Sequence, residues 1–180
     1  MIDTTKWLKL FVCLLLSFCL VSCATTPLPT TYTVYLTRHF EKTKETQDPE
    51  LTVKGKKQAE IFASLLDNKA ISAIYSTDYR RTILSAKPLA NTLDLAIEIY
   101  DPRNPETIID KVTTSAQNQV IVGHSNTIPA LITHLGGQSQ LISESEYGLV
   151  FAVSITLLEG VRIDTETRKI LLLDNVSNNF

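Results

Sequence analysis

The feature that most constrains the fold of this chain is a regular alternation of short apolar runs with longer segments of helical periodicity. The runs are rich in β-branched and aromatic residues, which is typical of buried strands, and they occupy residues 33–37, 71–75, 95–100 and 119–122. Apolar residues at spacings of three and four follow the runs and indicate helices packed on one side. Strands that alternate with helices form a parallel sheet covered on both faces, so the sequence predicts a three-layer α/β/α fold.

Capping residues, proline and glycine set the expected helix boundaries. Thr52 and Asp78 are candidate N-caps of the first two helices, and Pro88 is expected to kink or divide the second one. An Asn-Pro pair starts a third helix over residues 104–115. The fourth helix is predicted over residues 126–135, where two consecutive glycines end it.

The last part of the chain has a different pattern. Residues 148–158 are β-branched and aromatic, and Glu159-Gly160 turns the chain back into residues 161–163, with residues 169–173 as a candidate continuation. Consecutive strands joined by a tight turn pair antiparallel. The sequence therefore predicts a mostly parallel sheet with an antiparallel C-terminal edge.

The N-terminal residues predict an export signal rather than a folded element. Lys6 and Lys9 precede an apolar run over residues 10–21. This run is shorter than the roughly 20 residues of a membrane-spanning helix and fits a signal peptide. It ends in Leu-Val-Ser-Cys, which resembles a bacterial lipobox and implies lipidation of Cys23. An ordinary signal peptide or an uncleaved anchor is the alternative.

The expected domain organisation is a signal peptide over residues 1–22, a lipidated tether over residues 23–31 and one folded domain over residues 32–180. All three cysteines lie at or before Cys23, so this domain can hold no disulfide and no thiolate metal site. The resemblance to lipoproteins implies a membrane anchor in the bacterial cell envelope, facing the periplasm, and Ala24 favours the outer membrane. The net charge of −2 argues against nucleic acid as a partner.

Polar side chains follow each of the four predicted parallel strands at its carboxyl end. Those ends share the edge of the sheet where open α/β folds bind ligands, so the side chains are expected to converge. In chain order they are Arg38 and His39, then Ser76, Asp78, Arg80 and Arg81, then Asp101, and finally His124, Ser125 and Asn126.

This set of side chains suits a phosphoryl group. Guanidinium groups bind phosphate oxygens with paired hydrogen bonds, and an imidazole can attack phosphorus and hold it as a phosphohistidine. For such an attack His39 must be neutral, with its second ring nitrogen donating to a backbone carbonyl or a similar acceptor. A nearby acid must protonate the leaving oxygen and then activate water.

Five phrases of the sequence resemble, in their order, the signature of the histidine phosphatase superfamily, which has the phosphoglycerate-mutase-like fold. The resemblance spans about residues 33–153. The phrases are Thr37-Arg38-His39-Phe40-Glu41-Lys42; Asp48-Pro49-Glu50-Leu51-Thr52 with Gly55, Gln58 and Ala59; Tyr75-Ser76-Thr77 with Arg81, Thr82, Ser85 and Ala86; Gly123-His124-Ser125-Asn126-Thr127; and Glu146-Tyr147.

The resemblance implies a role for the residues at the predicted edge. His39 would be the phosphorylated nucleophile, and Arg38, Arg81 and His124 would form the phosphate pocket. Arg81 is assigned rather than Arg80 because it holds the family position. The resemblance also implies that the site uses no metal and no other cofactor.

Three further residues have expected roles. Ser125 and Asn126 are predicted to bind substrate and to cap the helix that follows. Phe40 departs from the family pattern, which has Gly or Ala after the nucleophile, and its ring is expected to narrow the pocket or to form part of its wall.

Several carboxylates are candidates for the proton donor. The family places it after the third strand, where Asp101 is closest and Glu98 and Glu106 are alternatives. Glu41 is a further alternative because it lies near the nucleophile.

The sequence thus predicts a lipid-anchored, metal-independent phosphatase that hydrolyses phosphomonoesters through a phosphohistidine. Its substrate would be a phosphorylated small molecule or a phosphopeptide. One alternative is a phosphoglycerate-mutase-like phosphotransferase. The other is a non-catalytic lipoprotein that binds phosphate or has a scaffolding role in the envelope.

Overall fold

Six strands and four helices make up the part of the chain that the structure, a computed structural model, describes, namely residues 26–44 and 47–172. The predicted signal peptide and Cys23 lie outside these residues. None of the helices in the described ranges is long and apolar enough to cross a bilayer. In chain order the elements are β1 (Thr30–Arg38), α1 (Val53–Leu66), β2 (Ala73–Ser76), α2 (Arg80–Leu93), β3 (Ile97–Ile99), α3 (Pro105–Ser115), β4 (Gln119–Gly123), α4 (Ile128–His134), β5 (Leu149–Leu158) and β6 (Val161–Leu171).

The six strands form one mixed sheet in the order β3-β2-β4-β1-β5-β6. The first four strands of that order are parallel, and β5 and β6 extend the sheet in antiparallel pairing. β1 therefore has a parallel neighbour on one side and an antiparallel neighbour on the other: Thr37 lies opposite Val122 of β4 and Val150 of β5. This topology confirms the predicted mostly parallel sheet with an antiparallel C-terminal edge.

Each face of the sheet carries two helices and an apolar core of its own, because successive strand residues alternate between faces. On β1, Val34 and Leu36 belong to the core under α3 and α4, and Tyr35 belongs to the core under α1 and α2. Burying one Leu-sized side chain stabilises the fold by about 1.5–3 kcal/mol. The helices contribute Phe62, Leu66 and Leu89 on one face and Ile108, Val112, Leu131 and Ile132 on the other. The predicted three-layer fold is confirmed.

Strand lengths differ from the apolar patterns that predicted them. β1 begins at Thr30, inside the predicted tether, and the Thr31 and Thr156 hydroxyls bond each other at 3.0 Å. β6 runs without a break to Leu171, although residues 164–169 are polar. Its side chains are mostly exposed, so its pairing with β5 needs no apolar alternation, and charged residues are typical of an edge strand.

Helix α2 is capped from a distance. Thr52 caps α1 as predicted, because its hydroxyl accepts from a backbone N–H of the first turn at 3.0 Å. Asp78 does not cap α2; instead the first helical N–H, that of Arg80, donates to Asp48 Oδ1 at 2.9 Å. The Asp78 prediction is wrong because the capping carboxylate comes from a separate loop.

The remaining helices agree more closely with their predictions. α2 continues through Pro88 and is not divided there, and α3 covers the predicted residues. α4 begins at Ile128 rather than Asn126, because Thr127 occupies its N-cap position. It ends before Gly136, whose φ of 83° is the left-handed conformation that terminates helices.

Candidate active site

The carboxyl ends of β1 and β4 open into a cleft of about 390 Å³. The two strands are parallel neighbours, so the residues that follow them converge as the sequence predicts. The basic and acidic side chains that line the cleft are His39, Lys42, Arg81, Arg103, His124 and Glu144.

Backbone groups fix the ring of His39. The residue is 3% exposed, its backbone N–H donates to the Gly123 carbonyl at 2.9 Å, and its ring Nδ1 lies 2.9 Å from the Phe40 carbonyl oxygen. A carbonyl can only accept, so Nδ1 carries the proton and Nε2 keeps a free lone pair. The Phe40 carbonyl is therefore the acceptor that a neutral nucleophilic histidine requires.

Both histidines of the cleft are uncharged at neutral pH. Burial lowers the pKa of His39 to about 3; the carbonyl at Nδ1 opposes this shift, and the Arg38 and Arg81 guanidiniums add to it. Burial, then Arg81 and Arg38, lower the pKa of His124 to about 4, and Glu144 opposes that shift. The nearby guanidiniums make the surroundings of both imidazoles electropositive.

Phe40 does not obstruct the cleft. Its ring is fully buried and packs edge-on against Phe62 with 5.5 Å between ring centroids, in the core under α1 and α2. The expectation that this ring narrows the pocket or forms its wall is wrong, because the ring points away from the cleft and packs in the apolar core. Its backbone N–H donates to the Ser85 hydroxyl at 2.9 Å and ties the nucleophile loop to α2.

His124 directly follows β4 and faces His39. Their ring centroids lie 5.7 Å apart, which lets both imidazoles contact a single phosphoryl group. The Thr77 hydroxyl lies 3.0 Å from His124 Nε2 and holds the ring in place. Gly123 is needed before it, because a Cβ there would lie 2.7 Å from the Tyr100 hydroxyl.

Arg38 is buried beside the cleft, and the loop that precedes β5 holds its guanidinium. Nη1 donates to the carbonyls of Ser143 at 2.8 Å and Glu146 at 3.1 Å, and Nη2 pairs with the Glu144 carboxylate at 2.6 Å. The guanidinium also lies over the Tyr147 ring, 4.5 Å from its centroid. Arg38 is thus immobilised on one side by backbone acceptors and on the other by an aromatic face.

Arg80 and Arg81 both start α2 but have different surroundings. Arg81 lines the cleft, lies 4.3 Å over the Tyr79 ring and stands 3.8 Å from Asp48 Oδ1. Arg80 is exposed and pairs with Glu50 away from the cleft. The structure therefore places Arg81, the arginine assigned from the sequence, beside the two histidines.

Two buried donors in this region lack a partner. Within the described part of the chain, Nε of Arg38 and Nε of Arg81 are buried and make no hydrogen bond. Buried donors are normally satisfied, and a guanidinium offers its Nε–H and one Nη–H as a fork that matches two oxygens of an oxyanion. The arrangement is suited to bind a tetrahedral oxyanion between the arginines and the histidines.

Asp101, the first candidate for the proton donor, and Glu41, one of its alternatives, both bond to side chains outside the histidine pair. Asp101 accepts from Arg103 Nε and Nη2 at 3.0 Å each, and these bonds lower the pKa of its carboxyl. Glu41 accepts from the Thr52 hydroxyl at 3.0 Å and pairs with Lys54 at 3.5 Å. Neither side chain lines the cleft itself, and Asp101 lies in the neighbouring pocket, which shares Tyr79, Pro102 and Arg103 with the cleft.

The other two alternatives are also outside the cleft. Glu98 pairs with Lys111 of α3 and does not line the cleft. Glu106 is exposed in the first turn of α3. The geometry therefore leaves the four sequence-based candidates away from His39.

Glu144 is the cleft residue that sequence reasoning missed. Its carboxylate bonds Arg38 and accepts from the Ser125 hydroxyl. It lies in an irregular loop, where periodicity gives no information about orientation. The nearest sequence signal was the Glu146-Tyr147 phrase, and the ring of Tyr147 does lie 5.9 Å from that of His39.

Ser125 and Asn126 line the cleft as predicted, but they do not cap α4, whose N-cap is Thr127. Over residues 26–44 and 47–172, no cluster of three or more His, Cys, Asp or Glu side chains is arranged to hold a metal ion.

The fold and this site together define an α/β protein of the phosphoglycerate-mutase-like type. The family model described as "Histidine phosphatase superfamily (branch 1)" matches residues 34–102, a range that includes Arg38, His39 and Arg81. Over these residues the chain is similar to the histidine phosphatase superfamily. A search of curated protein sequences finds no match.

Solved structures with the same fold have low sequence identity to this chain. The protein histidine phosphatase SixA complexed with tungstate is similar with a TM-score of 0.58 at 14% identity, over 77% of this chain and 96% of that chain. A mycobacterial glucosyl-3-phosphoglycerate phosphatase has a TM-score of 0.58 at 13% identity, over 79% and 98%. The α-ribazole phosphatase from Shigella flexneri has a TM-score of 0.57 at 17% identity, over 72% and 93%. These likenesses show the shared fold.

Proposed function

We propose that this protein hydrolyses phosphomonoesters through a phosphohistidine formed on His39. One observation carries the proposal: a neutral imidazole with an unprotonated Nε2 lies beside two buried guanidinium Nε–H groups that have no partner among the described residues. A phosphoryl group supplies what each of them lacks, an acceptor for the donors and an electrophile for the nucleophile.

Binding comes first in this mechanism. Arg38 and Arg81 each offer an N–H fork, and His124 contributes a third contact close to His39. Transfer spreads negative charge over the equatorial oxygens of the phosphoryl group, and fixed positive charges stabilise that charge better than water does. The two guanidiniums supply the positive charge, so the proposed reaction needs no metal ion.

The chemistry then proceeds in two displacements. The Nε2 lone pair of His39 forms a bond to phosphorus while the ester P–O bond breaks, and the leaving oxygen departs as an alcohol once it gains a proton. Water next attacks phosphorus, the N–P bond breaks, and its electron pair returns to Nε2. The Phe40 carbonyl stabilises the ring throughout, because its bond to Nδ1–H strengthens as the imidazole gains positive charge.

The substrate class follows from what the cleft recognises. We infer a phosphorylated small molecule or an exposed phosphopeptide segment, because the pocket fixes the phosphoryl group. The similar structures are named for a protein histidine, for glucosyl-3-phosphoglycerate and for α-ribazole. These names share only the phosphoryl group, which supports the general class and no single member of it.

We also propose that Cys23 is lipidated and anchors the protein in the bacterial cell envelope, facing the periplasm. The support is the basic, apolar and Leu-Val-Ser-Cys order of residues 6–23. A multiply acylated cysteine binds membranes firmly, since each buried methylene contributes about 0.8 kcal/mol. Fractionation of cells that express the wild type or Cys23→Ser tests this: the variant should leave the membrane fraction, and retention there contradicts the proposal.

The test of the enzymatic function is phosphate release from an aryl phosphate with chelator present. His39→Ala should lower kcat by about 10³-fold or more, because nucleophile and general-base residues act as one unit. His134→Ala is the matched control, since His134 is exposed at the end of α4, and it should retain wild-type activity. Acid-labile, base-stable phosphate should be trapped on the wild type and not on His39→Ala.

Two outcomes would redirect the proposal. Binding of inorganic phosphate without any turnover means a non-catalytic phosphate-binding protein. Transfer of the trapped phosphoryl group to an added alcohol in preference to water means a mutase-like phosphotransferase.

A further inference from the structure

We propose that Glu144 is the proton-transfer residue of this site, acting as the acid that protonates the leaving oxygen and then as the base that activates water. This assignment rests on the proposed phosphohistidine mechanism. It differs from every carboxylate that the sequence nominated, and it is carried by the placement of one side chain.

Placement singles out Glu144 among the carboxylates. Of the described side chains that line the cleft, Glu144 is the one acidic residue. Its Oε2 lies 2.6 Å from Arg38 Nη2, and its other oxygen accepts from the Ser125 hydroxyl. Arg38 and Ser125 are both predicted substrate contacts. Glu144 bonds both of them directly, so it is adjacent to the position where the phosphoryl oxygens would bind.

The side chain is also free to move and to exchange protons with water. Its exposed fraction is 79%, against 3% for Arg38 in the same ion pair. Arg38 is the buried half of this pair, and an arriving phosphoryl oxygen can replace the carboxylate as its acceptor, so the exchange leaves no buried charge unpaired. A carboxylate that is displaced from Arg38 by substrate remains in the lining of the cleft, where it is exposed to water.

The charges around Glu144 explain how one group can serve in both steps. The Ser125 hydrogen bond, then Arg38, His39 and Lys42, lower the pKa of Glu144, and His124 is the remaining titratable group that senses it. The carboxylate is therefore ionised in the absence of a further anion. A bound phosphoryl dianion claims the Arg38 and Ser125 donors and adds like charge, and both changes raise the pKa of Glu144.

The proton balance of the proposed cycle is closed. Protonated Glu144 gives its proton to the ester oxygen as the P–O bond breaks and His39 Nε2 bonds to phosphorus. Glu144 is then a carboxylate, and it takes a proton from the water that attacks phosphorus as the N–P bond breaks. The cycle ends with an alcohol, inorganic phosphate and a protonated Glu144, for one water consumed.

The experiment compares two substrates in wild type, Glu144→Gln and Glu106→Gln. Glu106→Gln is the matched control, because Glu106 is an exposed carboxylate outside the cleft, and it should behave as wild type. For an alkyl phosphomonoester, Glu144→Gln should lower kcat/KM by about 10²-fold, within the range for loss of a general acid. For an activated aryl phosphate, whose oxyanion leaves without a proton, kcat/KM should fall less than about tenfold.

Two further readings separate proton transfer from a structural role. With the aryl phosphate, Glu144→Gln should release a burst of one equivalent of phenol and then turn over slowly, because water attack on the phosphohistidine has lost its base. The alkaline decline of kcat for the alkyl ester, which is expected in wild type because a bound phosphoryl group raises the pKa of Glu144, should be absent from Glu144→Gln. If Glu144 has only a structural role, Glu144→Gln should lower kcat/KM equally for both substrates and leave the pH profile unchanged.

The outcomes distinguish this proposal from the proposed function itself. If wild type forms no phosphohistidine, the function fails. If wild type turns over and Glu144→Gln matches it on the alkyl ester, the assignment of Glu144 is overturned and the function stands. If Glu144→Gln binds inorganic phosphate more tightly with kcat unchanged or raised, the carboxylate is only a competing anion on Arg38, and the assignment is overturned as well.

Discussion

Arg38 and Arg81, the two arginines proposed to bind phosphate, are held in opposite ways. Arg38 is 2% exposed, with two backbone carbonyls, a carboxylate and an aromatic ring around its guanidinium. Arg81 rests on the ring of Tyr79, and among the described residues its carboxylate partner is Asp48, at the longer distance of 3.8 Å. The Arg38 guanidinium is therefore fixed before substrate arrives, whereas the Arg81 guanidinium can still move when substrate binds.

This difference teaches how the site divides its tasks. A preorganised guanidinium needs no rearrangement as charge develops, which is the main source of electrostatic catalysis. A cation–π contact contributes only about 0.5–1 kcal/mol at an exposed site. A guanidinium held by such a contact can therefore shift to follow the phosphoryl group. Fold stability and catalysis should therefore be coupled at Arg38 and separate at Arg81.

The largest effect is expected for Arg38→Lys. Lys keeps the charge but cannot reach both carbonyls and offer a fork to phosphate, so kcat/KM should fall by about 10²- to 10³-fold. The carbonyls left without donors should lower the free energy of unfolding by about 1–3 kcal/mol. Steady-state kinetics and urea denaturation measure the two losses. A variant that loses activity with unchanged stability would break the proposed coupling.

A smaller and purely catalytic effect is expected for Arg81→Ala. Losing one charge-assisted contact to phosphate costs about 1.5–3 kcal/mol, so kcat/KM should fall about 100-fold while the urea midpoint stays close to wild type. Arg80→Ala is the control, because Arg80 pairs with Glu50 outside the cleft, and its kcat/KM should stay within about twofold of wild type. Equal losses in the two variants would mean that the orientation of the first turn of α2 is wrong.

The third prediction concerns the stability of the protein at acid pH, which depends on the buried imidazole of His39. Burial holds the pKa of His39 at about 3, below its ordinary value of 6.5. As the pH falls below 6.5 the unfolded chain takes up a proton that the folded chain refuses, so stability present at pH 7 is lost on acidification. Between pH 6.5 and pH 5 the unfolding free energy should fall by about 1–2 kcal/mol from this residue.

Urea denaturation at several pH values tests that slope. His39→Gln removes one of the two buried histidines and should reduce the pH dependence to the part that is due to His124. The exposed His134→Gln variant should keep the wild-type slope. Identical slopes in wild type and His39→Gln would show that the nucleophile is not held neutral by burial.

The sequence was sufficient where periodicity carries the information. Buried parallel strands are continuous apolar runs, and each of them ends where a polar side chain begins, so the positions of His39 and His124 follow from the topology. Arg81 was assigned by its position in the family pattern, and Arg80 points elsewhere because consecutive residues of a helix are about 100° apart. The antiparallel edge was signalled by the Glu159-Gly160 turn, where both residues have positive φ.

The remainder depends on contacts between segments that are far apart in the chain. Asp48 caps α2 across a loop, so the local candidate Asp78 was a wrong prediction. Glu144 comes from a loop without periodicity, and only the folded chain brings it to Arg38. Phe40 looked obstructive in sequence because its neighbour Phe62 lies in α1, and only tertiary packing turns its ring into the core.

The position of β1 in the middle of the sheet sets an order of assembly during translation. The strand that carries the nucleophile emerges from the ribosome first, yet its two partners comprise residues 119–123 and 149–158. Strand pairings that span so much of the chain form slowly, because the intervening chain must be ordered to close them. A nascent chain that stops before β5 leaves one side of β1 unpaired and lacks the clamp on Arg38, so incomplete translation products should have no phosphatase activity.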